Sequence, residues 1–352
     1  MDTKNVPLIK TKRFWAGILL AQFVLFYIFS KSEYWISFFD KLYDVQKNFH
    51  IRIFSWIPFS TGDLFYILIG IFLLIHIINI FRKNKRKKAL FRILIFLNII
   101  YFTYQIFWGM MYFQTPIIKK LASQNKPDVE KAKLLALKYL KKAGETRKSV
   151  SEDKNGVFVI KNREVLVQEI IRQQSFLPGK IISKNTLTQI SVKESLFSNI
   201  MSYTGISGYY NPFTAESQFN SNLPHSIIPF TIAHETSHQL GFAREQEANF
   251  VAYLTGINSD NPELRYSAEY FTLKSLLRYI YTEDEIFAEN LIRHYSPAMK
   301  RDRAYERNFM ISHEGRLEDF FGFTNDLFLK SNRQEGSVTY SYFVNLLLNY
   351  EK

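Results

Sequence analysis

Three stretches without a charged side chain, Phe14–Ser30, Leu64–Phe81 and Ile93–Ile118, govern what this 352-residue chain can fold into. A bilayer core of ~30 Å needs about 20 helical residues, and a shorter run is completed by flanking side chains that snorkel to the interface. The runs are apolar on every face and flanked by charge, unlike the one-sided stripe of a helix in a water-soluble globule. The sequence therefore predicts three transmembrane helices at about 14–30, 64–81 and 93–115. They define a membrane domain over residues 1–118, followed by a second domain over 119–352. The first run is read as a retained anchor and not a secretory leader, because SKSEYWISFF follows it without a small-residue cleavage site.

Lysine and arginine set the expected orientation. Lys4, Lys10, Lys12 and Arg13 face a single acid, Asp2, at the N-terminus. RKNKRKK, Arg82–Lys88, separates the second and third runs with no acid, whereas Lys31–Asp63 balances four basic residues with four acidic. The N-terminus and the basic loop are thus expected in the cytoplasm, and everything after the third span outside it. Residues 1–118 account for +10 of the net charge of +13, so the basicity marks topology and not a polymer-binding face, and nucleic acid is excluded as a partner. With no cysteine, disulfide frameworks and thiolate metal sites are excluded too.

Beyond the spans, TPIIKKLASQNKP reads as a connector broken by Pro116 and Pro127, and DVEKAKLLALKYLKKA as a helix with acid at its start and base at its end. GVFVI reads as a strand and REVLVQEI as strand or helix. GISGYYNPFTAESQFNSNLP, Gly205–Pro224, reads as two extended pieces about an Asn-Pro turn. Helices are expected over Glu263–Tyr281, after Thr282 in a capping box with Glu285, and over TYSYFVNLLLNY. The outer part is therefore an α+β domain.

The chemistry concentrates in TIAHETSHQLGFAREQEANFVAYL, Thr231–Leu254. Pro229 near the start and Gly241 at the end bound a helix that puts His234 and His238 one turn apart on one face, the spacing that grips a single Zn2+. Glu235 projects from the adjacent position, where a carboxylate can take a proton from activated water without ligating the metal. A third ligand must come from Glu245 or Glu247. If EQEANFVAYL is a second helix, Glu245 shares a face with Ala248, Asn249 and Ala252, while Glu247 lies about 200° around it. Glu245 is the first choice and Glu247 the second, with Asn249 placed to orient a ligand histidine through its other ring nitrogen. The competing account is a hydrogen-bonded polar stripe on a solvated helix. Of the remaining histidines, His225 is near enough in sequence to approach the cleft. His50, His294 and His313 have no partner spacing, and His76 reads as a polar contact between spans.

HETSH followed by ExEAN-F-x-A-x-L resembles the gluzincin class of zinc metallopeptidases, with only six residues between His238 and Glu245. The resemblance implies His234, His238 and Glu245 as ligands and Glu235 as catalytic base. WIPFSTGDLFY, FWGMMYF, GYYNPFTAESQFN and EGSVTYSYFVNLLL, together with the histidine stretch, resemble an uncharacterised bacterial family of three-span membrane proteins with a zincin-like outer domain. It implies an inner-membrane protein whose C-terminal domain is periplasmic, and it names no substrate. By analogy with zincins, TAESQF, Thr214–Phe219, would be the edge strand that binds extended substrate. Tyr209, Tyr210 or Tyr340 would supply an oxyanion donor. The expectation is a membrane-anchored zinc metallopeptidase acting on an unknown protein or peptide. The alternative is a catalytically inactive zinc-containing membrane scaffold or binding protein. An intramembrane protease fits poorly, since the apolar lead-in IIPFTIA is too short to bury the site in lipid.

Overall fold

The computed structural model describes residues 8–121, 127–182, 184, 189–331 and 339–351. Three helices are long and apolar enough to cross a membrane: α1 (Lys12–Phe29), α3 (Thr61–Ile80) and α4 (Arg86–Phe107). Helix α4 packs against both of the others, and Asn98 near its middle donates to Trp15 O at 3.1 Å and accepts from Gln22 of α1 at 3.3 Å. Much of their remaining apolar surface, including Leu20, Leu68, Leu74 and Ile99, faces outward, as lipid requires. The third span ends earlier than expected. The backbone leaves helical geometry at Trp108, and Gly109–Phe113 continues as a tight 3-10 turn.

The connector between the first two spans contains a helix that the sequence reading treated as a loop, α2 (Glu33–Phe54). Its buried residues, Phe39, Tyr43, Lys47 and Ile51, recur every fourth position, so they form one stripe on one face. That stripe packs onto the region that follows the spans.

This region is mostly helical: α5 (Val129–Thr146), α6 (Arg163–Gln174), α7 (Ser198–Thr204), α8 (Ile228–Leu240), α9 (Glu245–Ile257), α10 (Pro262–Tyr281), α11 (Glu285–Arg293), α12 (Pro297–His313), α13 (Arg316–Ser331) and α14 (Thr339–Tyr350). A small sheet is formed by β1 (Val192–Glu194), β2 (Gly208–Asn211) and β3 (Glu216–Phe219) in the order β1-β3-β2, parallel between β1 and β3 and antiparallel between β2 and β3. The expected edge strand in TAESQF is thus the central strand, and the edge beside the histidine helix is β2. REVLVQEI is helical, started by Asn162, whose side chain accepts from Val165 N. GVFVI forms only an isolated bridge between Glu152 and Phe158. Asp284, and not Thr282, caps α11, because the Thr282 hydroxyl donates back to Tyr279 O at the end of α10.

Helix α8 lies at the centre of the fold, between the sheet, α9 and α10. Several of its buried polar groups are bonded to neighbouring elements. Gln239 donates to Ala215 O at 2.6 Å, Thr236 accepts from Gln174 at 3.0 Å, and Ser217 of β3 donates to Glu235 O at 3.0 Å. A buried polar helix of this kind is stable only when such partners exist. The hydrophobic core around it takes in Tyr43, Ile51 and Trp108 together with Leu240, Phe250 and Leu273, so α2 and the C-terminal end of α4 belong to the same packed unit.

Candidate metal centre

Helix α8 stops at Gly241, which adopts φ 109°, a left-handed conformation that glycine reaches without strain. Its amide and that of Phe242 bond back to His238 O and Ser237 O, reversing the chain so that α9 starts beside the last turn of α8. Glu245, the first residue of α9, therefore meets the two histidines as the alanine-lined face of that helix predicted.

His234, His238 and Glu245 form the one His/Asp/Glu cluster among the described residues that is arranged to hold a metal ion. The two Nε2 atoms lie 3.1 Å apart, and Glu245 Oε2 and Oε1 lie 3.1 Å and 3.6 Å from His234 and His238 Nε2. Each outer ring nitrogen has a fixed acceptor: His234 Nδ1 is 2.8 Å from Asn249 Oδ1, and His238 Nδ1 is 2.6 Å from Phe242 O. Those acceptors favour the proton on Nδ1, so that in the neutral rings a metal requires both Nε2 lone pairs turn inward. Two lone pairs and a carboxylate converging on one point call for positive charge between them. Burial acts to lower the pKa of His238, yet the adjacent charge of Glu245 more than offsets it, to about 9. Burial acts upward on Glu245, but the charges and hydrogen bonds of the two histidines hold it well below the ordinary carboxylate range.

Glu235 points into the cleft beside this cluster. It is buried, its Oε2 has no hydrogen-bond partner, and burial pushes its carboxyl up to about 7, against the pull of His234 and His238. A Cβ placed on Gly208 would sit 2.8 Å from both Glu235 Cγ and Gln218 O, so the edge strand can run this close only with glycine there.

The second-choice ligand, Glu247, is turned away. Its Oε1 accepts from Ile117 N at 2.8 Å and pairs with Arg244 at 3.2 Å, so it fastens the start of α9 to the segment leaving the third span. Tyr209 hydrogen-bonds through its hydroxyl to Asp63 at the start of α3, and the Tyr210 hydroxyl lies 3.0 Å from that of Tyr43. His225 Nδ1 accepts from Ile160 N at 2.9 Å and lies outside the cleft. Tyr340 is in α14, and its side chain lies outside the described residues. His76 bonds within its own helix, to Phe72 O at 2.8 Å.

Several residues that support the cluster escaped the sequence reading. The Tyr43 hydroxyl bonds to His238 O and Gln239 O at 3.0 Å and 3.1 Å, and Lys47 Nζ donates to Leu240 O at 3.1 Å. Together they satisfy the open carbonyls at the C-terminus of α8, where a cation is also favoured by the helix dipole. Trp108 packs edge-on to His238 with ring centroids 5.9 Å apart. The fourfold stripe of α2 was the signal for Tyr43 and Lys47; Trp108 had none.

The cluster opens into a cleft of about 670 Å3, lined on one side by Gly208 and Tyr209 and on another by Tyr66, Tyr104, Trp108 and Tyr112. Residues 38–348 match the family described as "Protein of unknown function (DUF3810)". The chain belongs to that family. The match takes in α8, α9, the sheet and the α2 stripe that supports them, and leaves α1 outside it. No curated protein and no solved structure matches the chain.

Proposed function

We propose that this chain is a membrane-anchored, zinc-dependent metallopeptidase with a zincin-like fold that hydrolyses peptide bonds. One observation carries the reading. Ligand atoms held at ~2.0–2.1 Å around a tetrahedral zinc ion lie ~3.3 Å from one another; the two Nε2 atoms are 3.1 Å apart, and the Glu245 carboxylate straddles the point between them, with Oε2 3.1 Å from His234 and Oε1 3.6 Å from His238. A hydrogen-bonded polar stripe does not need two imidazole nitrogens facing each other with their protons drawn to the far side.

Two imidazoles and one carboxylate leave a fourth position free, the arrangement of a hydrolytic and not a purely structural zinc site. When bound, zinc lowers the pKa of water and polarises a carbonyl oxygen. The protein's own residues do the rest. Asn249 and Phe242 O orient the two rings, and Glu235, whose Oε2 is not committed to any structural contact, is placed to accept a proton and return it to the leaving amine. Strand β2 presents an edge beside Glu235 along which an extended peptide can add its backbone. The distribution of lysine and arginine supports a site on the outer side of the membrane, which in this reading is a bacterial inner membrane.

The test uses the purified full chain loaded with zinc and a pool of quenched fluorogenic peptides. Wild type is expected to hydrolyse the pool and Glu235→Gln to lose that activity while retaining one zinc per chain. Equal activity in the two, or activity insensitive to zinc removal, would sink the reading.

A further inference from the structure

The cleft is not carried above the membrane on a stalk. Helix α3 has 20 residues, which at 1.5 Å each span ~30 Å, just the thickness of the hydrocarbon core. Its first turn must therefore lie at the bilayer surface, and that turn is bonded directly to the sheet of the site. Glu216 of β3 accepts from Thr61 N at 3.2 Å and Gly62 N at 2.6 Å, and Asp63 accepts from Leu196 N at 2.6 Å and is bonded to Tyr209 of β2. Both strands beside Glu235 are thus fixed to the end of a span.

The cleft itself reaches further down. Tyr66 lies five residues into α3, ~7.5 Å along the helix axis, and Tyr104 three residues before the end of α4, ~4.5 Å. Both line the same cleft as His234 and Glu245. The uncharged run of the second span begins at Leu64, so Tyr66 belongs to its apolar part. Across the cleft, α13 contributes Glu318 and Phe321 to the lining while leaving Leu317, Phe320 and Phe323 more than half exposed. Beside it α7 exposes Ile200, and α7 begins two residues after Leu196, whose amide is held by Asp63. This apolar face thus borders the same cleft that Tyr66 and Tyr104 of the spans line.

We infer that the substrates are polypeptides held at the membrane, cut within a few residues of the point where they leave the bilayer. The inference rests on the peptidase reading and adds the substrate class to it. Water-soluble peptides would meet the cleft only from the aqueous side, whereas a chain emerging from lipid beside Tyr66 and Tyr104 enters along β2 without leaving the surface.

The experiment reconstitutes the full chain in vesicles of phosphatidylcholine and phosphatidylglycerol, with Glu235→Gln as the background. One fluorogenic peptide pool is supplied free, or joined to a double palmitoyl anchor, which holds stably where a single chain does not. The spacer between anchor and pool is about 3 or about 20 residues, the longer one reaching ~60 Å when extended. The expected result is that the short-spacer probe is hydrolysed at least tenfold faster than the free pool and no slower than the long-spacer probe. Hydrolysis of the long-spacer probe alone, or of the free pool at the same rate, overturns the inference and leaves the peptidase reading intact. No Glu235-dependent hydrolysis of any probe removes both.

Discussion

Replacing Asn249 by alanine isolates the step that turns two histidines into a metal site. Asn249 Oδ1 lies 2.8 Å from His234 Nδ1, and this contact keeps the proton on the outer nitrogen and the lone pair of Nε2 directed at His238 and Glu245. Losing such a partner costs 10–100-fold in metal affinity, about 1.4–2.7 kcal/mol. The effect should stay at that level, because the acceptor for His238 is the carbonyl of Phe242, which the substitution does not touch. Zinc affinity is measured by competition with a chromophoric chelator on the detergent-solubilised full chain, with the melting temperature of the metal-free protein as the control for folding. Asn249→Asp provides the opposite arm. A carboxylate is a stronger, charge-assisted acceptor for the imidazole N–H, so its affinity should equal or exceed that of wild type. The reasoning is refuted if Asn249→Ala binds zinc within about threefold of wild type with unchanged metal-free stability, or if the aspartate variant is as weak as the alanine.

Glu247→Ala should leave zinc affinity within about threefold of wild type yet cost ~1–3 kcal/mol in denaturant unfolding, since it strands the buried Ile117 N–H and takes one partner from Arg244; zinc loss with stability intact would transfer the ligand role from Glu245. Gly208→Ala should keep its zinc but lower peptide turnover by roughly 10–100-fold, because the added methyl has to displace Glu235 or the β2–β3 ladder; unchanged turnover would show that Glu235 does not depend on its place under β2. Glu169 supplies a pH dependence away from the site. Burial acts upward on its carboxyl, but Arg172, Ser259 and Gln173 more than offset it, so the folded pKa falls from 4.5 to about 2. A lowered carboxyl pKa stabilises the fold above pH 4.5, and that contribution is lost as pH falls from 4.5 towards 2. Over that interval Glu169→Gln should therefore show a flatter decline in melting temperature than wild type, and parallel curves would contradict the assignment.

What could be read from the sequence was whatever is encoded locally. The spans are legible because lipid demands an unbroken apolar stretch, and α8 because Pro229 and Gly241 punctuate it. Glu245 could be separated from Glu247 because helical geometry sends neighbours two positions apart to opposite faces. The errors arose where long-range partners decide. GVFVI has the composition of a strand, but its one pairing is a bridge from Phe158 to Glu152, outside the sheet. TAESQF was read as an edge because nothing in its residues reports that β1, from Val192, pairs on its other side.

The tyrosines show the same limit at the site. Tyr209 and Tyr210 sit next to the cleft in sequence and in space, which made them candidates to stabilise an oxyanion. Their hydroxyls are instead bonded to Asp63 and Tyr43, residues more than a hundred positions away on α3 and α2. Neither partner is a residue type that announces a distant role, and Lys47 runs against expectation altogether, being a fully buried cation on the stripe of a helix that resembled a linker. Its place becomes intelligible only once α8 is seen to end beneath it with carbonyl groups in need of donors. The helix that joins the first two spans thus completes the hydrogen bonding of the helix that carries His234 and His238. A shift of α2 would therefore act directly on the backbone that positions the two histidines, and a shift of the first turn of α3 on the strands beside Glu235.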